Sequence, residues 1–521
     1  MNINQELLEK YNKKGPRYTS YPPATHFSEN YDDKDFINSV INSNNENPQN
    51  ISVYIHIPFC PQICHFCGCT TESGFTKPFL ERYIDALLKE IEFVSQYIND
   101  DRKLTQIHWG GGTPNAISLK YIKKVTDKIK ECFDLSDEYE MAIECSPAHL
   151  DFKHVELLKN FGFNRISIGI QDFDNKVLDA INRRRPKHPI DKVIKRIHDE
   201  GFTGTNIDLV YGLPLQTVDN FNKTIEKAIE LNTDRIVTFS YAHVPSILPR
   251  QKILENIGFP SAEEKAKMYE NAYKKFTEAG YVAIGMDHFC RPNDEFYLAL
   301  KNNQLHRNFQ GYCTTKTTGQ VYGFGASSIS QLFSAYSQNV KNAAQYIKKI
   351  NEKNTAVFRG YKLSKNEKII RDVINSIMCN YYVNFVEISQ RFNPTNTITQ
   401  QVVLRKIACV QLKNVIGDGK GEFRWHHMDN KDKAQVRANI LEVFMLQTDE
   451  SMRDLFAECV LGIARDDFPQ SWNCIPEILK NLSCNDLNRV HNALLITRKI
   501  VKLYQFARRT DTEERKRLHL L

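Results

Sequence analysis

The sequence predicts an α/β chain built on a full or partial barrel of six strand–helix units, a (β/α)6 arrangement, followed by an all-α segment of stacked helices. Three observations carry this. Short β-rich runs alternate with longer helical patterns between Ile51 and about Ser240, a polar or glycine-rich stretch follows nearly every β run, and from about Thr397 one helical pattern follows another.

The strand candidates are ISVYIHI from Ile51, LTQIHW from Leu104, YEMAIE from Tyr139, RISIGI from Arg165, TNIDLV from Thr205 and DRIVTF from Asp234. Amphipathic segments lie between them, as in PFLERYIDALLKEIEFVSQYI, where Leu80, Ile84, Leu87 and Leu88 recur at helical spacing. Such alternation predicts a parallel sheet. The stretches PFCPQIC, GGGTP, CSP, QDF, YGLP and YAHVP would then surround one mouth, because the loops leaving the strands gather on one face of a barrel. Beyond the seam expected at NPTNTITQ (from Asn393), runs such as SMRDLFAECVLGIAR place Leu455, Cys459 and Ile463 on one helical face. Short polar links between these helices read as a fragment of an α-solenoid. The expected division is 1–48, an N-terminal segment; 49–285, the barrel; 286–392, the remainder of that region; and 397–521, helical repeats.

Composition narrows the class. Lys+Arg 69 against Asp+Glu 62 leaves +7 over 521 residues, too weak an excess to argue for a nucleic-acid partner. Hydrophobic residues at 41% and charged residues at 25% exclude a mostly disordered chain. No long apolar run is present, and the opening MNINQELLEKYNKKG is too polar for a signal peptide, so a cytoplasmic protein without a membrane partner is expected.

Thirteen cysteines are too few for a disulfide scaffold, and four of them, Cys60, Cys64, Cys67 and Cys69, fall within ten residues. Cys60-x3-Cys64-x2-Cys67 presents three thiolates from the loop leaving the first strand. Thiolates are the usual ligands of iron–sulfur clusters, and three on a cubane leave one iron open for a small molecule. Phe66 would shield such a cluster. The alternative is a zinc site completed by Cys69 or a histidine. Zinc knuckles usually come in pairs, and no second one is found here.

This Cys pattern after the first strand of an α/β barrel resembles the radical S-adenosylmethionine (SAM) superfamily. RYTSYP (Arg17 to Pro22), YIHIPFCPQICHFCGC (Tyr54 to Cys69), HWGGGTP (His108 to Pro114), GIQDF (Gly169 to Phe173), NIDLVYGLP (Asn206 to Pro214), YAHVP (Tyr241 to Pro245), GMDHF (Gly285 to Phe289) and LHRNFQGY (Leu305 to Tyr312) narrow it further. In this order they resemble the oxygen-independent coproporphyrinogen III oxidases, over about Tyr11 to Phe392. Cys69 tilts the resemblance toward the oxidases rather than their haem-chaperone relatives or another radical SAM enzyme of tetrapyrroles.

The resemblance implies a 4Fe–4S cluster on Cys60, Cys64 and Cys67, with SAM bound at its open iron. It implies that Tyr54 and the Gly111–Gly112 turn place this SAM, with Glu144 on its ribose and Ile329 against its adenine. A second SAM would be contacted by Phe66, Gly112, Thr113, Gln171, Arg183, Asp208 and Ala242. The implied reaction converts two propionates of coproporphyrinogen III to vinyl groups, giving protoporphyrinogen IX. An adenosyl radical takes a β-hydrogen, CO₂ leaves, and an acceptor removes one electron. A reductant such as flavodoxin or ferredoxin would supply the cluster. A substrate with four carboxylates would favour a basic mouth, and Arg17, Arg291 and Arg307 lie in or beside the matched blocks, with no role assigned to them.

The C-terminal part departs from that pattern. LRKIACVQLKNVI (Leu404 to Ile416), VRANILEVF (Val436 to Phe444) and ARDDFPQSWNCIPEIL (Ala464 to Leu479) resemble the N-terminal HEAT-type repeats of importin-β-like nuclear transport receptors. That resemblance implies Ran GTPase as a partner, a nuclear option for location, and a chimeric chain. Within it, Asp467 is expected to cap a helix and Trp472 to pack between repeats.

Overall fold

In the computed structural model of this chain, residues 21–392, 430–448, 450–468 and 471–505 are described. Arg17, the seam at 393–400 and the run 404–416 lie outside them. The chain divides into two compact units, Met1–Val383 and Asn384–Leu521.

The first unit opens with α1 (Asp33–Ser43), capped by the Asp32 carboxylate. Strands and helices then alternate: β1 (Ile51–Ile57), α2 (Lys77–Ser95), β2 (Lys103–Gly111), α3 (Leu119–Cys132), β3 (Asp134–Cys145), α4 (Phe152–Phe161), β4 (Arg165–Gln171), α5 (Asn175–Ala180), α6 (Ile190–Asp199), β5 (Gly204–Tyr211), α7 (Val218–Glu230) and β6 (Arg235–Ser240). All six expected strands form and pair in parallel, in chain order. Thr76 caps α2, and Pro78 in its first turn needs no intrahelical donor.

The rest of the unit extends this sheet beyond the six expected strands. After α8 (Ala262–Glu278) come β7 (Val282–Gly285), β8 (His288–Cys290), α9 (Glu295–Lys301), the hairpin β9 (Leu305–Arg307) and β10 (Tyr312–Thr314), then β11 (Gln320–Phe324), β12 (Ile329–Gln331) and β13 (Ala335–Asn339). The unit ends with α10 (Ala343–Lys353), β14 (Val357–Lys362) and α11 (Lys365–Asn380). The sheet order is β14-β13-β12-β11-β1-β2-β3-β4-β5-β6-β8-β7, with β11 parallel to β1 and the outermost strands antiparallel. The result is a partial barrel. The β9–β10 hairpin spans its opening: Leu305 and Tyr312 pack with Ile284 and Cys290 near one edge, and Phe309 at the turn meets Tyr336 of β13 near the other. Helix α11 crosses the same gap, with Arg371 donating to the Phe333 carbonyl at 2.7 Å and Asn380 to the Leu305 carbonyl at 3.0 Å.

Period-2 alternation gives the barrel its two faces. Val53, Ile55, Ile57, Ile107, Trp109, Ile143, Ile168 and Ile207 are buried together with α2's Ile84, Leu87 and Ile91 in one apolar core. The residues between them are Tyr54, His56, His108, Glu144, Ser167 and Asp208, and these face the lumen. Barrel interiors are usually filled by branched apolar side chains. A polar lumen therefore marks a site.

The second unit contains α12 (Phe385–Phe392), α13 (Asn430–Met445), α14 (Glu450–Asp467), α15 (Ile475–Leu482) and α16 (Leu487–Gln505). Helix α16 packs against α13, α14 and α15 around Leu441, Phe444, Cys459, Ile463, Trp472 and Ile496. Asp467 does not cap a following helix: it ends α14, and its carboxylate meets Arg437 at 2.8 Å. No helix among the described residues is long and apolar enough to cross a membrane.

Candidate active site

The cysteine loop leaves β1 and is clamped by backbone bonds to neighbouring loops. Gly112 N–H donates to the Ile57 carbonyl at 2.8 Å and Thr113 N–H to that of Phe59 at 3.0 Å. His65 N–H reaches the Ile181 carbonyl at 2.9 Å, and Asn182 donates to that of Ile63 at 3.0 Å. Gln251 closes the far side by donating to the carbonyls of Phe66 and Ala242. A loop held at so many points presents its side chains in one fixed arrangement.

Cys60, Cys64 and Cys67 line one cavity of about 350 Å³ at the C-terminal ends of the strands. Cys60 Sγ lies 3.0 Å from the Thr113 hydroxyl, and the Arg183 guanidinium is 3.6 Å from Cys64 Sγ. The Cys69 amide donates to Cys67 Sγ at 3.4 Å. Burial pushes the Cys60 and Cys64 thiols up, whereas hydrogen bonding from Cys69 draws Cys67 toward thiolate. Glycine makes this packing possible. A Cβ on Gly112 would stand 3.0 Å from the Phe59 carbonyl oxygen and 3.1 Å from Cys60 Sγ, and Gly111 holds φ +113, a region that disfavours other residues.

The donor chemistry fits a cluster rather than one ion. A single zinc needs its sulfurs to converge on one point about 2.3 Å from each. Among the described residues no group of three or more His, Cys, Asp or Glu is so placed. A cubane instead takes each thiolate on a different iron.

Farther into the lumen, His108 Nε2 and Glu144 Oε1 are 3.1 Å apart, and Tyr54 stacks on His108 with ring centroids 6.0 Å apart. Burial works against a charged His108, yet the hydrogen bond and charge of Glu144 raise its pKa. Asp208 accepts from Asn206 at 2.8 Å and Ser167 at 3.2 Å, and burial pushes its carboxyl up to about 6. A second cavity of about 180 Å³ shares Glu144, Ser167, Asp208 and Phe239 with the first and continues to Glu140, Arg165, Arg235, His288 and Tyr312.

Residues 54–228 match the model of the radical SAM superfamily. The oxygen-independent coproporphyrinogen III oxidase of Synechocystis sp. is 40% identical over 391 residues, 75% of this chain and 84% of that protein. Its namesake in Escherichia coli is 38% identical over 387 residues, 74% and 84% of the two chains. The solved structure of the Escherichia coli coproporphyrinogen III oxidase, described as a radical SAM enzyme, superposes with a TM-score of 0.71 at 35% identity, covering 79% of this chain and 92% of that one. This chain belongs to the oxygen-independent coproporphyrinogen III oxidase family.

Of the residues that the family resemblance singles out, Phe66, Gly111, Gly112, Thr113, Glu144, Gln171, Arg183 and Asp208 line the cavity of the three cysteines. Arg183 is half-buried and donates to the Gly169 carbonyl, so it is no solvated member of its basic run. Asp208 stands within β5, not at a helix cap, and Gln171 ends β4 with φ 71, a strained backbone of the kind that gathers at functional sites. Three residues sit elsewhere. Tyr54 faces the lumen beside His108 without lining that cavity, its hydroxyl 3.1 Å from His56 Nδ1; Ala242 meets Gln251 through its carbonyl, and Ile329 packs with Phe27, Tyr336 and Leu363. Cys69, the fourth of the clustered cysteines, also lines the cavity, and so do Ser146, His149, Ser167, Arg184 and Phe239, which the sequence did not single out. For Ser167 the signal was present in RISIGI, as a polar residue on the side of the strand opposite its isoleucines.

Proposed function

We propose that the chain is an oxygen-independent coproporphyrinogen III oxidase, a radical SAM oxidoreductase that decarboxylates two propionates of coproporphyrinogen III in porphyrin biosynthesis. The observation that carries this is the set of three thiols on one glycine-cradled cavity, opening into a polar barrel lumen. Cys60, Cys64 and Cys67 would hold the 4Fe–4S cluster, which with SAM supplies the hydrogen-abstracting radical. Glu144 offers acceptors to ribose hydroxyls, and Arg183 and Asp208 offer opposite charges to a zwitterionic amino acid tail. The presence of these residues on one cavity supports the binding of two SAM molecules there. A one-electron carrier such as flavodoxin or ferredoxin would serve as reductant in the cytoplasm. The barrel's remaining task is to hold the reacting C–H bond near the radical and to keep water out.

The test is anaerobic reconstitution with iron and sulfide, followed by SAM, a reductant and coproporphyrinogen III. Vinyl product and 5′-deoxyadenosine are expected together. Retained zinc, or a loaded cluster with neither product, overturns the reading.

For residues 397–521 we carry a second reading, importin-like helical repeats that take Ran in its GTP form. Trp472, buried among α13 to α16, supports it. Retention of GTP-loaded Ran by the full chain tests it, and no retention disposes of it.

A further inference from the structure

Nearly every arginine along the barrel wall has its acceptor. Arg165 meets Glu140 at 2.8 Å and Glu295 at 2.7 Å, and Arg235 meets Asp294 and Glu295, each at 2.9 Å. Arg291 donates to the Ala279 carbonyl at 2.9 Å, and Arg371 to that of Phe333 at 2.7 Å. Arg307 differs. Its Nε and Nη1 are sealed from water, and neither has an acceptor among the described residues. The guanidinium carbon lies 4.9 Å from the centre of the Tyr312 ring, which attracts a cation but completes none of its N–H bonds. A guanidinium stays charged, and leaving it buried without an anion is costly.

Its place in the fold names the anion. Arg307 pairs with Tyr312 across the β9–β10 hairpin, so the two side chains share a face. Tyr312 and the turn residues Asn308, Gln310 and Gly311 line the inner cavity, which joins the cysteine cavity through Glu144 and Asp208. Arg307 as a whole residue is only half-buried. The reacting propionate must sit at the cysteine end, and a macrocycle with four propionates presents others away from it. We propose that Arg307 anchors a non-reacting propionate carboxylate of the tetrapyrrole and so fixes which ring presents its side chain for reaction. This rests on the oxidase reading of the same hollow.

The test uses the reconstituted holoenzyme with SAM. Binding of coproporphyrin III, the stable oxidised form with the same four carboxylates, is followed by its fluorescence, alongside KM and kcat for coproporphyrinogen III. R307Q is expected to bind roughly 10- to 100-fold more weakly, the loss of one charge-assisted hydrogen-bonded pair. KM should rise more than kcat falls, R307K should recover part of the affinity, and the cluster absorbance should stay unchanged. R307M should melt no lower than the wild type, since it removes an unpaired buried charge. Wild-type-like binding by R307Q, or a lowered melting temperature of R307M with binding intact, overturns the proposal and would mark Arg307 as packing alone. A wild type that neither binds nor decarboxylates fails at the oxidase reading itself, while turnover by the wild type with an unaffected R307Q fails only here.

Discussion

Glu90, on α2, is 3% exposed and accepts three hydrogen bonds: from the Tyr346 hydroxyl at 2.6 Å, Asn339 Nδ2 at 2.7 Å and the Gly325 amide at 2.8 Å. Through Gly325 it holds the turn after β11, whose Ser327 hydroxyl lies 3.4 Å from His56 Nε2. Burial nevertheless outweighs these bonds and pushes its carboxyl from 4.5 to about 7. A rise of that size corresponds to about 3 kcal/mol at about 1.4 kcal/mol per unit. The folded protein keeps this proton where the unfolded chain has released it. The group's contribution is therefore complete below pH 4.5 and is lost as pH rises toward about 7. Glu90→Gln removes the titration while retaining an acceptor. Urea unfolding of both proteins at matched pH between about 5 and 8 isolates the effect, because every other titrating group cancels in the difference. Wild-type stability should fall relative to the variant by roughly 2 to 3 kcal/mol over that window. A pH-independent difference would refute the reasoning.

Four other substitutions have defined outcomes. Serine at Cys60, Cys64 or Cys67 should abolish cluster absorbance after reconstitution while leaving the far-UV circular dichroism of the fold intact; normal cluster loading would remove that residue from the ligand set. Gly112→Ala should lower cluster loading because its new methyl meets Cys60 Sγ and the Phe59 carbonyl. Gly74→Ala, with φ +74 and no atom within 4 Å, should lose only about 1 kcal/mol of stability and load normally. Arg235→Met should destabilise the barrel by about 3 to 5 kcal/mol in thermal or urea unfolding, because it leaves the buried Asp294 without its cation and Glu295 with Arg165 alone. A melting curve unchanged from wild type would show that water pairs those carboxylates instead.

The six central strands were legible because each is a contiguous run with its own hydrophobic rhythm and its own following loop. The cysteine triplet was legible because metal-ligand spacing is local. The strands from β7 to β14 escaped notice because several are three to five residues long, too short to show a period, and they are recruited by pairing with an existing edge. The candidate site divided along the same line. Phe66 lies in the cysteine motif and Gly112 and Thr113 in the GGGTP turn after β2, and all three line that cavity, whereas Ile329, named like them through resemblance, lies on β12 among other side chains.

Local sequence alone determined the six central strands, which loop would carry the thiols and that the described C-terminal segments would be helical, since period and spacing are properties of neighbours in the chain. Only the tertiary structure decided that a hairpin and a helix bridge the open barrel, that Arg235 meets carboxylates 59 and 60 residues away, and that Arg307 meets none. Those outcomes depend on side chains brought together by closure of the sheet. A charged residue has the same letter whether its partner is a carboxylate, a carbonyl or a ligand still to arrive.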